Sequence, residues 1–169
     1  GNGAYCSKES PYYSWYQFKS WPDSYESWWG FKTLPTVNKM DPNFLEYIIT
    51  GQDSVIAHWL RAGCDGFRLD VADELPNGFL VLLKKHLRQL KPDALLMGEV
   101  WEDASNKCAY GQCRHYFVDG ELDSIMNYPF RTAILNFLRG QDDGRGLENT
   151  VMTIAENYPP EVLLSNMNL

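Results

Sequence analysis

The sequence predicts an α/β chain, a partial (β/α)8 TIM barrel preceded by an irregular, aromatic-rich lobe over residues 1–40. Three observations predict it. From residue 41 to 169, strand-like and helix-like segments alternate strictly, which calls for parallel strands joined by right-handed crossovers. No glycine-rich phosphate loop follows any strand, so the main support for an open nucleotide-binding sheet is absent. Two strands instead end in acids, Asp70 and Glu99, and barrel enzymes place their chemistry at that rim. A full barrel takes about 250 residues, so a chain of 169 residues holds about half of one.

Asp41-Pro42 reads as a helix start, because Asp caps and Pro fits a first turn that needs no donor. Phe44, Ile48, Val55, Ile56 and Leu60 then recur at helical spacing, predicting one helix up to Gly63. Asp65 to Val71 reads as a short strand. A second helix follows Pro76, with Phe79, Leu80, Leu83 and Leu87 on one face, and Pro92 stops it. Residues 94–100 form a second strand, apolar enough to predict burial on both faces. Beyond a looser stretch, residues 123–128 predict a third strand, Pro129 opens another helix, and Leu147 to Tyr158 is helical. Val162 to Leu169 reads as the approach to a fourth strand.

The first thirty residues hold four of the six tryptophans, Trp15, Trp21, Trp28 and Trp29. Ser, Lys, Asp and Pro lie between them with neither strand nor helix period. Such a segment folds around its own rings. One or two rings also suit a pocket for a ligand with flat apolar faces, such as a sugar. The two readings are compatible.

A formal charge of −7 repels nucleic acid and anionic membrane over most of the surface, and no apolar run reaches bilayer length. Neither partner is expected. The chain opens Gly1-Asn2-Gly3 with no visible targeting peptide, so localisation stays open. The four cysteines form no CxxC pair and no zinc spacing with His58, His86 and His115, and no metal site is expected. Cys64 reads as plain core. Cys108 and Cys113 share one short loop, and their spacing leaves open whether they pair.

Side chains alternate along a strand, so Arg68 and Asp70 point to one face and Phe67, Leu69 and Val71 to the other. Glu99 ends the adjacent strand, where its carboxyl can approach that of Asp70. Two carboxyls about 5–5.5 Å apart are the layout of a retaining glycosidase, one a nucleophile and the other an acid and then a base. The cationic neighbour of Asp70 should depress its pKa, which suits the nucleophile. Met97, Val100 and Trp101 surround Glu99, and apolar burial should raise its pKa toward the general-acid range.

Gly66-Phe67-Arg68-Leu69-Asp70-Val71-Ala72-Asp73-Glu74 resembles the nucleophile strand of the α-amylase family, glycoside hydrolase family 13, and Gly98-Glu99-Val100-Trp101 resembles its acid/base motif. Residues 28–39 are similar to the short motif near the end of that family's B domain, and Asp123 to Pro129 to its sixth strand. The combination most resembles the neopullulanase, cyclomaltodextrinase and maltogenic amylase branch. The resemblance implies a B-domain-like lobe over 1–40 and barrel strands of about four to seven over 41–169. It also implies Asp70 as glycosyl-enzyme nucleophile, Glu99 as acid/base and Arg68 as orienting cation. Trp101, Asp73, Glu74, Asn127 and Tyr128 become candidate substrate contacts. Glu102, where the branch often has His, and Asp73 in place of a common Asn depart from the pattern and bear on subsite preference.

The implied substrate is an α-glucan, with no cofactor required. Calcium is a family habit for which these residues show no ligand cluster. The family's first motif should precede this chain and its His-Asp motif should follow it. The 169-residue chain alone is therefore expected to be inactive and, with unpaired barrel edges, open to self-association. The competing reading is a non-catalytic scaffold or glucan-binding relative, which would have no reason to keep Asp70, Glu99 and Arg68 together.

Overall fold

The computed structural model describes residues 1–118 and 120–169, and the chain separates into two compact units, Gly1–His58 and Trp59–Leu169.

In the first unit a short antiparallel pair, β1 (Phe18–Ser20) and β2 (Ser24–Tyr25), is extended by single bridges between Tyr16 and Val37 and between Ser27 and Pro35. Ring contacts supply much of the packing. Tyr13 stacks on Phe18 at 5.1 Å, Trp28 on Trp29 at 4.7 Å, and Trp15 meets Phe44 edge-on at 5.2 Å. Tyr5, Tyr16, Phe18, Tyr25 and Pro35 line a small apolar hollow.

Asp41 caps α1 (Pro42–Leu45) as expected, accepting from Asn43 N at 2.9 Å and Phe44 N at 3.0 Å. The single helix predicted up to Gly63 is not observed. One wide turn over Glu46–Thr50 ends at Gly51, and a new helix, α2 (Val55–Arg61), starts beyond it. Ser54 explains the restart, since its hydroxyl accepts from Ala57 N and its carbonyl takes the His58 N–H, the pattern of an N-cap.

The second unit is built on three parallel strands in sequence order, β3 (Gly66–Leu69), β4 (Leu95–Gly98) and the later strand Ser124–Ile125. Arg68 lies beside Met97 and Leu69 beside Gly98, and Gly98 in turn lies beside Ile125. The amphipathic helix α3 (Asn77–Leu90) connects the first two strands and buries Phe79, Leu80, Leu83 and Leu87. Arg88 in its last turn reaches Asp123 at 2.6 Å, and the other oxygen of Asp123 accepts from Leu96 N at 2.8 Å. One carboxylate thus fastens helix and strand together.

Three expectations are corrected here. Residues 94–100 are not covered on both faces: Leu96 is fully buried, but Leu95 is exposed and Met97 only half-buried. Leu95 and Met97 share the open face that also carries Arg68. Val162 to Ser165 is helical, not extended, and the approach to a further strand begins only at Asn166. Pro160 at the first turn opens α6 (Pro160–Ser165), and only Met167 then joins Met126 in a parallel bridge. Cys64 is half-buried at the turn after α2, not enclosed.

Between the second and third strands lies a tight hairpin, β5 (Cys108–Ala109) and β6 (Gln112–Cys113), turned by Tyr110 and Gly111. Both turn residues have positive φ, +53° and +75°, the requirement of a two-residue hairpin turn whose twist suits the strands. The third strand, now β7 (Ser124–Ile125), leads into α4 (Tyr128–Leu138). Asn127 belongs to its cap and not to the strand, its side chain accepting from Phe130 N. α5 (Gly144–Asn157), capped by Asp143, packs on α4.

Candidate active site

Arg68 is an exposed residue at the open end of β3, and Asp70 follows two residues later, just beyond the strand. One guanidinium nitrogen pairs with Asp70 Oδ1 and the other lies 3.2 Å from Glu99 Oε1. The two acids are therefore joined across neighbouring strands by one side chain. Their surroundings differ sharply. The Asp70 side chain is 77% exposed and that of Glu99 only 10%.

Glu99 sits at the end of β4 because the backbones of the two strands interlock there. Its N–H donates to Leu69 O at 2.9 Å and its carbonyl accepts from Ala72 N at 3.0 Å. Gly98 before it is packed closely, since a Cβ would stand 3.1 Å from that of Ala72 and press on Leu122. The Glu99 carboxylate is then surrounded by donors. Oε2 accepts from Val71 N at 2.9 Å, Oε1 accepts from the Tyr128 hydroxyl at 3.2 Å, and the Trp101 side chain also donates to it. Burial pushes the carboxyl up, but the Val71 amide, Trp101, Arg68 and Tyr128 outweigh it and hold Glu99 below the usual carboxylate range. The expectation that burial leaves it raised is corrected: of its expected apolar neighbours Trp101 itself donates to the charged form, and Val71 N, Arg68 and Tyr128 add to it.

Val71 presents its amide from left-handed backbone, φ +41° and ψ +62°. A β-branched residue there is strained. The Tyr128 phenol is pushed up by burial and by its bond to Glu99, so it remains a neutral donor.

Asp73 is used differently. Its carboxylate pairs with Lys107 and accepts from Tyr116 OH at 2.5 Å, and its carbonyl takes a hydrogen bond from Arg114. Lys107 also pairs with Glu102, linking the segment after β3 to the segment after β4. Glu74 accepts from Tyr110 OH at 3.0 Å. Asn127 caps α4 and its amide also reaches Asn168 at 3.3 Å. Arg68, Asp70, Glu99, Trp101 and Tyr128 thus form one cluster, and Asp73 and Glu74 are held by the hairpin beside it.

Sequence reading missed Val71, Lys107, Arg114 and Tyr116. Lys107 and Arg114 immediately flank the two cysteines of the hairpin, in a stretch without period. Among the described residues no group of three or more His, Cys, Asp or Glu side chains is placed to hold a metal, and no helix is long and apolar enough to cross a membrane.

A neutral ligand with hydroxyl groups would meet at this cluster one exposed carboxylate, one enclosed carboxylate, a cation and a half-exposed indole. The chain is similar to known proteins along most of its length. Residues 5–159 match the family described as "Alpha amylase, catalytic domain". The chain is 33% identical over 185 residues to an amylopullulanase of Thermoanaerobacter thermohydrosulfuricus, covering 95% of this chain and 12% of that protein. It is 31% identical over 154 residues to a cyclomaltodextrinase of Thermoanaerobacter pseudethanolicus, covering 86% of this chain and 25% of that one. Its fold matches the cyclic alpha-maltosyl-(1→6)-maltose hydrolase of Arthrobacter globiformis, solved with maltose, at a TM-score of 0.82 and 22% identity over 98% of this chain and 36% of the other.

Proposed function

This chain belongs to the α-amylase catalytic-domain family, and from that premise we propose that it carries the catalytic carboxylates of an α-glucan hydrolase or transglycosylase that works by double displacement. The observation that carries the reading is the sharing of Arg68 between Asp70 and Glu99. Asp70, exposed and paired with the cation, is the nucleophile that attacks the anomeric carbon. Glu99 protonates the departing glycosidic oxygen and then removes a proton from the incoming water or sugar hydroxyl, and the anomeric configuration is retained. The donors around Glu99 stabilise its ionised form, the state it reaches once its proton has left. The same donors, Tyr128 at 3.2 Å among them, favour transfer of the proton to the departing oxygen and oppose the protonated state from which the acid starts.

Trp101 offers a ring face to a pyranose, and the bonds on offer are α-1,4 or α-1,6 glucosidic links in maltodextrin, cyclodextrin, pullulan or starch. Residues 1–40 serve as the B-domain-like lobe, and residues 41–169 supply barrel strands of about four to seven. The chain spans 12% and 25% of the length of the two sequence relatives above, and the 169 residues alone lack turnover because further contacts to the distorted sugar ring are needed.

The test uses a catalytically competent protein containing this chain. Asp70→Ala should abolish hydrolysis of a maltoside. Glu99→Ala should lose activity on natural links but keep it on a substrate with an activated leaving group, and azide should then trap a product of retained configuration. Substantial turnover by Asp70→Ala, or an inverted azide product with Glu99→Ala, would overturn the assignment.

A further inference from the structure

The hairpin beside the site carries chemistry that glycoside hydrolysis does not use. Cys108 and Cys113 are direct cross-strand partners, both are exposed, and their sulfurs lie 2.8 Å apart as free thiols. Their place in the ladder matters. In an antiparallel pair, hydrogen-bonded and non-hydrogen-bonded positions alternate. Arg114 N donates to Lys107 O at 2.8 Å, which makes the neighbouring Cys108–Cys113 pair a non-hydrogen-bonded one. Such pairs hold their Cα atoms about 4.5 Å apart with side chains turned toward each other, inside the range of about 4.4–6.8 Å that a disulfide needs.

What the hairpin holds gives the pair its consequence. Lys107, one residue before Cys108, grips Asp73 and Glu102. Arg114, one residue after Cys113, donates to the carbonyls of Asp73 and Leu75 and to Asn77 Oδ1. The two cysteines therefore sit between the two cations that fasten residues 73–77, the segment that follows Asp70.

We propose that Cys108 and Cys113 are a redox site, forming a reversible disulfide that locks the hairpin and, through Lys107 and Arg114, the segment after the nucleophile. The oxidant is a small-molecule disulfide. The thiolate of one cysteine attacks it and expels one thiolate. The second cysteine then attacks the mixed disulfide and expels the other, so the two protein thiols lose two electrons and their two protons pass to the two released thiolates. Exposure gives the oxidant access, and the opposed cysteine ensures that the mixed disulfide resolves within the chain.

The test takes the full chain with Cys6→Ser and Cys64→Ser, equilibrated with oxidised glutathione. Both remaining thiols should be lost, the mass should fall by two hydrogens, and dithiothreitol should reverse the change. Amide exchange over residues 71–77 and 107–114 should slow by about tenfold or more in the oxidised form, as closure of a short loop implies. Stable glutathione adducts, persistent free thiols, or unchanged exchange over 71–77 would overturn the proposal. Should the double variant not fold, differential alkylation and peptide mapping of the unaltered chain decide it: a 108–113 linkage supports the site, and linkage of either residue to Cys6, Cys64 or a second chain overturns it.

Discussion

The backbone amide of Val71 donates to Oε2 of Glu99 at 2.9 Å, from a left-handed conformation that valine rarely adopts. The residue next to the proposed nucleophile therefore helps to set the charge state of the proposed acid, and it does so through backbone. Left-handed backbone costs an L-residue about 1–2 kcal/mol, a cost that glycine does not bear. Val71→Gly should accordingly change stability by no more than about 1 kcal/mol, with relief of strain offsetting the loss of a half-buried side chain. The basic limb of the pH–activity profile should stay in place, because the N–H remains. A displaced limb in Val71→Gly would show that the side chain, and not the amide, governs Glu99.

Tyr128→Phe removes a donor to the ionised form of Glu99. With that form less stabilised, the carboxyl keeps its proton to higher pH. The acid must be protonated to act, so the basic limb of kcat/KM should move upward in pH. Movement downward, or none, would exclude Tyr128 as a setter of Glu99.

Asp123 ties Lys84, Arg88 and the Leu96 amide together. Asp123→Ala leaves the mostly buried Lys84 ammonium without its carboxylate, and urea unfolding should show a loss of about 3–5 kcal/mol. Burial pushes the Asp123 carboxyl up, but Lys84, Leu96 N and Arg88 prevail and hold it below the usual range. A depressed folded-state pKa means that its stabilisation is full above the unfolded carboxylate value and lost as pH falls through the folded one. The unaltered chain should therefore lose stability in acid more steeply than Asp123→Asn.

Lys107→Met should also destabilise by about 3 kcal/mol, because it strands the largely enclosed Asp73 carboxylate. Burial pushes the Lys107 ammonium down, but Asp73 and Glu102 reverse this and leave it raised. Its contribution is thus present below the unfolded lysine value and lost as pH climbs through the folded one. In an active protein containing this chain, KM should rise more than kcat falls, since Asp70 and Glu99 keep their own partners. A fall confined to kcat would place Lys107 in the chemistry.

Strict alternation is not kept, since among the described residues a hairpin and no helix lies between β4 and β7, but the pairing of Arg68 with Asp70 was legible because strand period is a local signal. Asp41 and Pro92 marked helix boundaries for the same reason. The break at Ser54 was not read, since Ile48, Val55 and Ile56 keep helical spacing across it and only a serine after Gly51 signals the restart. Within the expected approach to a fourth strand, Val162 to Ser165 is helical because Val162, Leu163 and Leu164 suit either state and the proline at position 160 decided for helix, while Met167 does pair in parallel with Met126. The direction of the Glu99 shift was illegible in principle. Its donors come from positions 68, 71, 101 and 128, and no run of sequence reveals that they converge.

Gly98 has a consequence for how this site tolerates change. The space where its side chain would stand is filled by the methyl of Ala72 and the end of Leu122, both buried. Positions 72, 98 and 122 therefore draw on one fixed allotment of volume beneath the acid. Enlarging residue 98 alone pushes Glu99 off its strand-end position, and shrinking residue 122 alone leaves a void under it. Variation should enter this trio only in compensating pairs, so libraries that randomise one position at a time will record it as immutable when it is merely coupled.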